Sequence, residues 1–390
     1  MDASLFPPTS VQTLAIEANK EVQGSLPDSI TKLTIMLGVK GTVAVGVIPE
    51  SVRSLTLTTQ QPLAPGTIPK SVRSLTLYTL QPLAPGTIPQ SVTKLSAPRF
   101  MNFTLGCIPT SITTLILTGC DQTEWLVGLT SLTALTLMDN NSATLPKLPT
   151  SVTLLHLGRY NFPLRAGVLP DTLTSLRLDT YDHDLQPRSL PSQLIRLELK
   201  TFNKLIDVAN HLPPTLKYLK MDSFNMSLDL SSLPLVGLDL RAASWECKIP
   251  PTLTSLIYTN FHPNYNNYPP GLTKLGCNGS FLCRGYMFPP SITKLFITPT
   301  MLFGDHPCLS FCHGIKKLTT THLGSILYNG CQAVNSNKYP ITLRQVTVLC
   351  EVGCSEISLS QFIKYLMIPK HLSSLVAMEG KGEGEDKGKG

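Results

Sequence analysis

Asp305-His306-Pro307-Cys308, followed by Cys312-His313, is the stretch of this sequence with the residue types for metal chemistry. Zinc takes histidine nitrogens and cysteine thiolates, and a structural site needs four of them in a tetrahedron. The C-x-x-x-C spacing returns at Cys350 and Cys354, which would complete a set if the two segments stacked. The same residues could supply a Cys/His nucleophile pair. A plainer reading competes: of the ten cysteines none forms C-x-x-C, and cysteine is often simply buried. No G-x-x-x-x-G-K-(S/T) stretch offers a phosphate loop. The expectation is a chain without catalytic residues, metal or cofactor. Metal binding or Cys/His-dependent enzyme activity near the C-terminus is the alternative.

A second group of residues depends on how the chain is folded. Arg177/Asp179, Glu198/Lys200, Lys220/Asp222 and Asp239/Arg241 are charged pairs of opposite sign. Each pair is two residues apart, so its members share a face only if the segments are strands.

The elements that would position them are repeats. Residues 51–70 read SVRSLTLTTQQPLAPGTIPK and residues 71–90 read SVRSLTLYTLQPLAPGTIPQ. They differ only at Thr58/Tyr78, Gln60/Leu80 and Lys70/Gln90, the mark of a duplicated unit. The general pattern is P-x-S-(V/I/L)-x-x-L-x-(L/I). Fifteen copies start at a proline, from Pro8 to Pro369. Three more lack it but keep the apolar triplet, at Leu132/Leu135/Leu137, Leu235/Leu238/Leu240 and Ile315/Leu318/Thr320. A period near 20 residues predicts a β-rich, leucine-rich-repeat-like solenoid of α/β class with about eighteen coils. Each coil has one short parallel strand, with Leu55 and Leu57 inward and Ser54, Thr56 and Thr58 outward. So short a coil leaves no room for a full helix, and the return path should be helix-poor. Its marks are G-x-(I/L)-P at Gly24, Gly46, Gly66, Gly86, Gly106 and Gly167. Glycine there permits a turn with positive φ. The apolar residue enters the core from the far side, and the serine after the proline bonds local backbone. Trp125, in a coil without the proline, is expected in the core.

The unit resembles the FNIP repeat, a leucine-rich-repeat variant of social amoebae and some giant viruses. Tyr160-Asn161-Phe162-Pro163-Leu164, then Gly167-Val168-Leu169-Pro170, carries the resemblance, with Phe202-Asn203 and Phe224-Asn225 in other coils. The resemblance spans roughly residues 5–378 and implies a protein-interaction solenoid. Some members carry an F-box or kinase domain, for which the few residues before the first unit leave no room.

The expected organisation is a solenoid over 1–378, irregular and longer-coiled from about 298. A Gly/Lys/Glu tail follows over 379–390, with no apolar residue to fold around. The net charge is +7, with Lys and Arg spread along the chain. The start of the chain lacks a signal peptide, and no apolar run is long enough to span a membrane. A cytoplasmic, monomeric protein is expected.

The register also sorts the outward residues. Early coils offer Ser54/Thr56/Thr58, Ser74/Thr76/Tyr78 and Thr114/Ile116/Thr118, nearly uncharged. In the middle, one column runs Arg177, Glu198, Lys220, Asp239 and the other Asp179, Lys200, Asp222, Arg241. Alternating signs suit either a self-compensating ladder or a recognition patch with His156, Arg196 and Tyr218 beside it. Near-zero local charge argues against nucleic acid, which needs unopposed cations. The function expected is a non-catalytic scaffold binding an unidentified protein through the sheet face or an edge, with no nucleic acid and no membrane.

Overall fold

The computed structural model describes residues 11–98, 106–118, 124–139, 144–241, 247–258, 268–278, 289–298, 317–320, 345–350 and 353–358. The chain divides into two compact units, Met1–Leu216 and Lys217–Gly390.

The first unit is a parallel β-solenoid with one strand per coil. Its strands are β1 (Thr13–Ala18), β2 (Lys32–Leu37), β3 (Ser54–Thr58), β4 (Ser74–Tyr78), β5 (Lys94–Ala97), β6 (Thr114–Leu117), β7 (Ala134–Leu137), β8 (Leu154–Leu157), β9 (Ser175–Leu178) and β10 (Arg196–Leu199). Each pairs in parallel with the next, leucine to leucine: Leu55 aligns with Leu75, Leu135 with Leu155, Leu176 with Leu197. Leu55 and Leu57 are buried, as the alternation predicts, and the coils after the first bury the same triplet.

The return path uses the predicted punctuation. All six glycines have positive φ, for example 86° at Gly46 and 78° at Gly167. Ile68 and Ile88 are buried behind them. The carbonyl of each following proline accepts an N–H three residues on, as in Val52 N to Pro49 O at 3.1 Å, which turns the chain into the strand. One local expectation is corrected. The serine or threonine after the proline does not bond its own turn: Ser71 Oγ donates to Val52 O at 2.8 Å and Ser111 Oγ to Val92 O at 2.9 Å, one coil back. Threonines just before the strands do likewise, as in Thr113 Oγ1 to Thr93 O at 3.2 Å. A parallel stack presents the preceding coil's carbonyl near the same place, and these hydroxyls find an acceptor there, whereas Ser91, Ser151 and Ser291 at the same position are buried without a hydrogen-bond partner.

The aromatic–Asn pair has a similar logic. Tyr160, Tyr181 and Phe202 are fully buried in successive coils, and the rings of Tyr181 and Phe202 stack with centroids 6.2 Å apart. Beside them Asn161 Oδ1 accepts the N–H of Asp182, and Asp182 Oδ1 that of Asn203, both at 2.9 Å. Tyr181-Asp182 thus fills the role of Tyr-Asn. Helix is sparse among the described residues: a 3-10 turn at Glu124–Gly128, with Trp125 buried, and one turn of α1 (Val208–His211) capped by Asp207.

The second unit follows the same plan. Its strands are β11 (Tyr218–Met221), β12 (Leu228–Asp229), β13 (Gly237–Leu240), β14 (Cys247–Lys248), β15 (Ser255–Tyr258), β16 (Lys274–Asn278), β17 (Lys294–Thr298), β18 (Lys317–Thr320), β19 (Gln345–Cys350) and β20 (Gly353–Ser358). β11, β13 and β15 to β19 form a parallel series; β12 and β14 make a second, two-stranded sheet. β20 turns back antiparallel on β19. The count of about eighteen coils is therefore approximate: the final pairing breaks the parallel rule, and the repeat at Pro369 lies outside the described residues. So do the Asp305–His313 metal candidate and the Gly/Lys/Glu tail.

Candidate interaction face

In a sheet packed on one side, the residues between the leucines must face away from the core. The first unit realises the predicted column: His156 aligns with Arg177 and Arg177 with Glu198. Three strands thereby gather five polar groups. Asp179, just past β9, is the centre. Its Oδ2 lies 2.9 Å from His156 Nε2 and its Oδ1 2.8 Å from Arg177 Nε. Arg177 also reaches Glu198 at 3.9 Å, and Arg196 lies 3.7 Å from the same carboxylate. Gly158 packs against the coil before it. It sits at the position level with Asp179 one coil earlier, and a Cβ there would meet Met138 O at 2.2 Å. Lys200 stands apart: it is exposed and, within its unit, makes no ion pair among the described residues.

The second unit realises the other half, with Lys220 aligned with Asp239. Arg241 Nε lies 3.3 Å from both Asp222 Oδ1 and Asp239 Oδ1. Its N–H has hydrogen-bond geometry only toward Asp239, which leaves the buried Asp222 Oδ1 with ion pairs but no hydrogen bond. Lys220 Nζ is 3.8 Å from Asp222. Tyr218 is exposed and covers Gly237 in the next strand: a Cβ on that glycine would lie 2.7 Å from the tyrosine ring.

Asp179 and Asp239 titrate in opposite directions. Burial pushes both up. At Asp179 the hydrogen bonds and charges of Arg177 and His156 outweigh it and hold the carboxyl below its ordinary value. At Asp239 burial prevails: Arg241 is shared and further away, and the Asp222 carboxylate adds repulsion. Such pairs contribute about 0–1 kcal/mol each when exposed, so they set register more than stability.

Sequence reasoning set Ile116 outward but missed the rest of the apolar flank of this face. Ile116 on β6, Met138 after β7 and Leu154 on β8 are 37%, 36% and 48% exposed beside the charged group. The signal was available in Leu154-Leu155-His156-Leu157, where only Leu155 and Leu157 fit the inward period. Among the described residues no three His, Cys, Asp or Glu side chains cluster as a metal would require. Cys107, Cys247 and Cys277 are buried, and burial pushes the Cys247 thiol up to about 12.

The FNIP Repeat family model matches residues 42–79, 60–97, 140–180 and 181–224. Over those segments the chain is similar to FNIP repeats. The matched segments contain the duplicated coils and the Tyr160–Asn203 run that builds the aromatic core and the Asn/Asp bonds. Solved structures similar to the chain include CroV588, described as a novel circular LRR protein structure, with 21% identity and a TM-score of 0.49. That match covers 76% of this chain and 57% of CroV588, so this chain spans less than two thirds of that protein. YopM from Yersinia enterocolitica matches at 20% identity over 70% of each chain, TM-score 0.40. YopM from Yersinia pestis matches at 17% over 75% of this chain and 87% of that one, TM-score 0.36. No curated protein sequence matches the chain. No helix among the described residues is long and apolar enough to cross a membrane.

Proposed function

We propose that this chain is a non-catalytic protein-interaction scaffold and that the sheet face around Asp179 is its recognition surface. The observation that carries the reading is the grouping of His156, Arg177, Asp179, Arg196 and Glu198 on three adjacent strands, next to exposed Ile116, Met138 and Leu154. Interfaces bring apolar side chains and arginine together with polar groups. The charged groups can exchange their mutual pairing for pairing with a partner, because each pair is partly open to water.

The test compares proteins retained by the wild-type chain and by the double variant Arg177→Glu/Arg196→Glu. Lys40→Glu/Lys70→Glu, exposed in the same unit, is the control. Loss of the same bound proteins in the first variant alone supports the face. An unchanged set of partners removes it.

A further inference from the structure

The charged columns described so far compensate themselves; another column does not. Lys274 on β16 aligns with Lys294 on β17, and Lys294 with Lys317 on β18. Neighbouring parallel strands lie about 4.8 Å apart, and like charges directly opposite one another are destabilising. Lys274 and Lys294 are exposed, and neither makes an ion pair among the described residues. The same register position carries no acid on either side, with Ser255 before the lysines and Gln345 after them. The whole-chain tally conceals how uneven the charge is: from Ile249 to Cys350 the sequence has seven Lys or Arg and one acid, Asp305.

We infer that this lysine column is a docking strip for an acidic polypeptide segment. Charge complementarity names the sign of the occupant, and the neighbouring side chains name its class. Thr254, Thr273 and Thr293, which flank the strip, each donate their hydroxyl to the preceding coil's carbonyl. The ammonium groups are therefore the donors on offer, and they suit carboxylates as point charges. The next column inward presents Ile257, Gly276 and Phe296, with Ile257 and Phe296 half-buried. A single nucleic acid strand wants successive aromatic platforms, and Phe296 is the one aromatic in this stretch of the column. An extended segment alternating acidic and apolar residues meets both columns at once. Its acidic side chains, about 6.8 Å apart at i and i+2, would span the lysines while the apolar ones cover Ile257 and Phe296.

Fluorescence anisotropy with the full chain tests this. The probes are a labelled peptide of alternating Glu and Val, its Gln/Val counterpart, and a single-stranded oligo-dT of equal charge. The Glu/Val peptide should bind, more weakly with added salt, and the Gln/Val peptide should not. Lys274→Gln/Lys294→Gln/Lys317→Gln should weaken binding by about tenfold. The same charge loss at Lys40, Lys70 and Lys147 should leave it unchanged. Removing like-charge repulsion should keep or raise the melting temperature of the first variant, so lost binding would not reflect unfolding. No binding of the Glu/Val peptide, equal binding by the triple variant, or preference for oligo-dT would each overturn the inference.

Discussion

His156 Nε2 and Asp179 Oδ2 meet at 2.9 Å across two neighbouring coils, and Arg177 Nε holds the other oxygen of the same carboxylate. Asp179→Asn should therefore destabilise the protein by about 1–3 kcal/mol at neutral pH. The sign with pH follows from the depressed folded value. The contribution of Asp179 is complete above the ordinary aspartate value of about 3.9 and is lost as pH falls through the lower folded value. Urea denaturation of wild type and variant from neutral to strongly acidic pH should show the gap closing in acid. A gap independent of pH would show that the carboxylate's charge is not what Arg177 and His156 stabilise.

Asp239 should behave in the opposite way. Its folded value is raised, so the folded state holds the proton more tightly than the unfolded state. The ionised group costs stability at neutral pH, and that cost fades as pH falls through the raised folded value. Asp239→Asn should be neutral or stabilising by up to about 1 kcal/mol at pH 7, with Arg241 still facing Asp222. The comparison with Asp179→Asn in the same titration checks it; a loss as large as that of Asp179→Asn would contradict the assignment.

Arg188 occupies the turn position that glycine holds in other coils, in Arg188-Ser189-Leu190-Pro191, with φ at 61°. A side chain in the left-handed region costs roughly 1–2 kcal/mol. Arg188→Gly should raise stability by up to about 1 kcal/mol after the glycine's extra chain entropy. Gly66→Ala, at φ 88°, should lower it by about 1 kcal/mol. Melting temperatures should move in opposite directions for the two variants.

Two buried hydroxyls in the duplicated coils should respond differently to removal. Thr87 Oγ1, in the G-T-I-P turn, is buried without a hydrogen-bond partner. Thr87→Val should be neutral or stabilising, since it removes an unsatisfied polar atom at nearly constant shape. Ser71 Oγ bonds the carbonyl of Val52 in the preceding coil, and Ser71→Ala should cost about 1 kcal/mol. Equal effects in chemical denaturation would mean that this inter-coil bond contributes nothing net.

Phe202 tests the aromatic core. It is fully buried and stacks on Tyr181. Phe202→Ala should cost about 3–5 kcal/mol. Phe202→Tyr would add a hydroxyl where neighbouring coils already use Tyr160 and Tyr181, and should retain most of the stability. Denaturation midpoints of the two variants check the ordering.

Much of this was legible in the residues. The leucine alternation fixed which side of each strand is buried, because a slip of one residue would turn every leucine outward. Repetition multiplied that weak local signal: one L-x-L says little, but seen again every twenty residues it specifies a stack. The same register told which charges share columns, as Arg177 with Glu198 and Lys220 with Asp239 confirm. The three differences between the duplicated coils all fall on positions that are not buried, which the pattern also implies.

What the pattern leaves open are relationships settled by distance and angle. Sequence treats Asp179 and Asp239 alike, each two residues from an arginine; the fold brings His156 to one, and buries the other beside a second carboxylate, Asp222. Sequence placed the turn serines in local bonds, whereas stacking puts an acceptor of the preceding coil closer to hand. Arg188 does not announce a left-handed turn, and Tyr181-Asp182 does not read as Tyr-Asn until both occupy the same rung. The sequence by itself determined the coil, its period and its buried face, because those follow from local alternation repeated many times. The tertiary structure decided which hydroxyl, carboxylate and lysine meets which neighbour, because those partners lie a full coil apart along the chain and only the stacking brings them within reach.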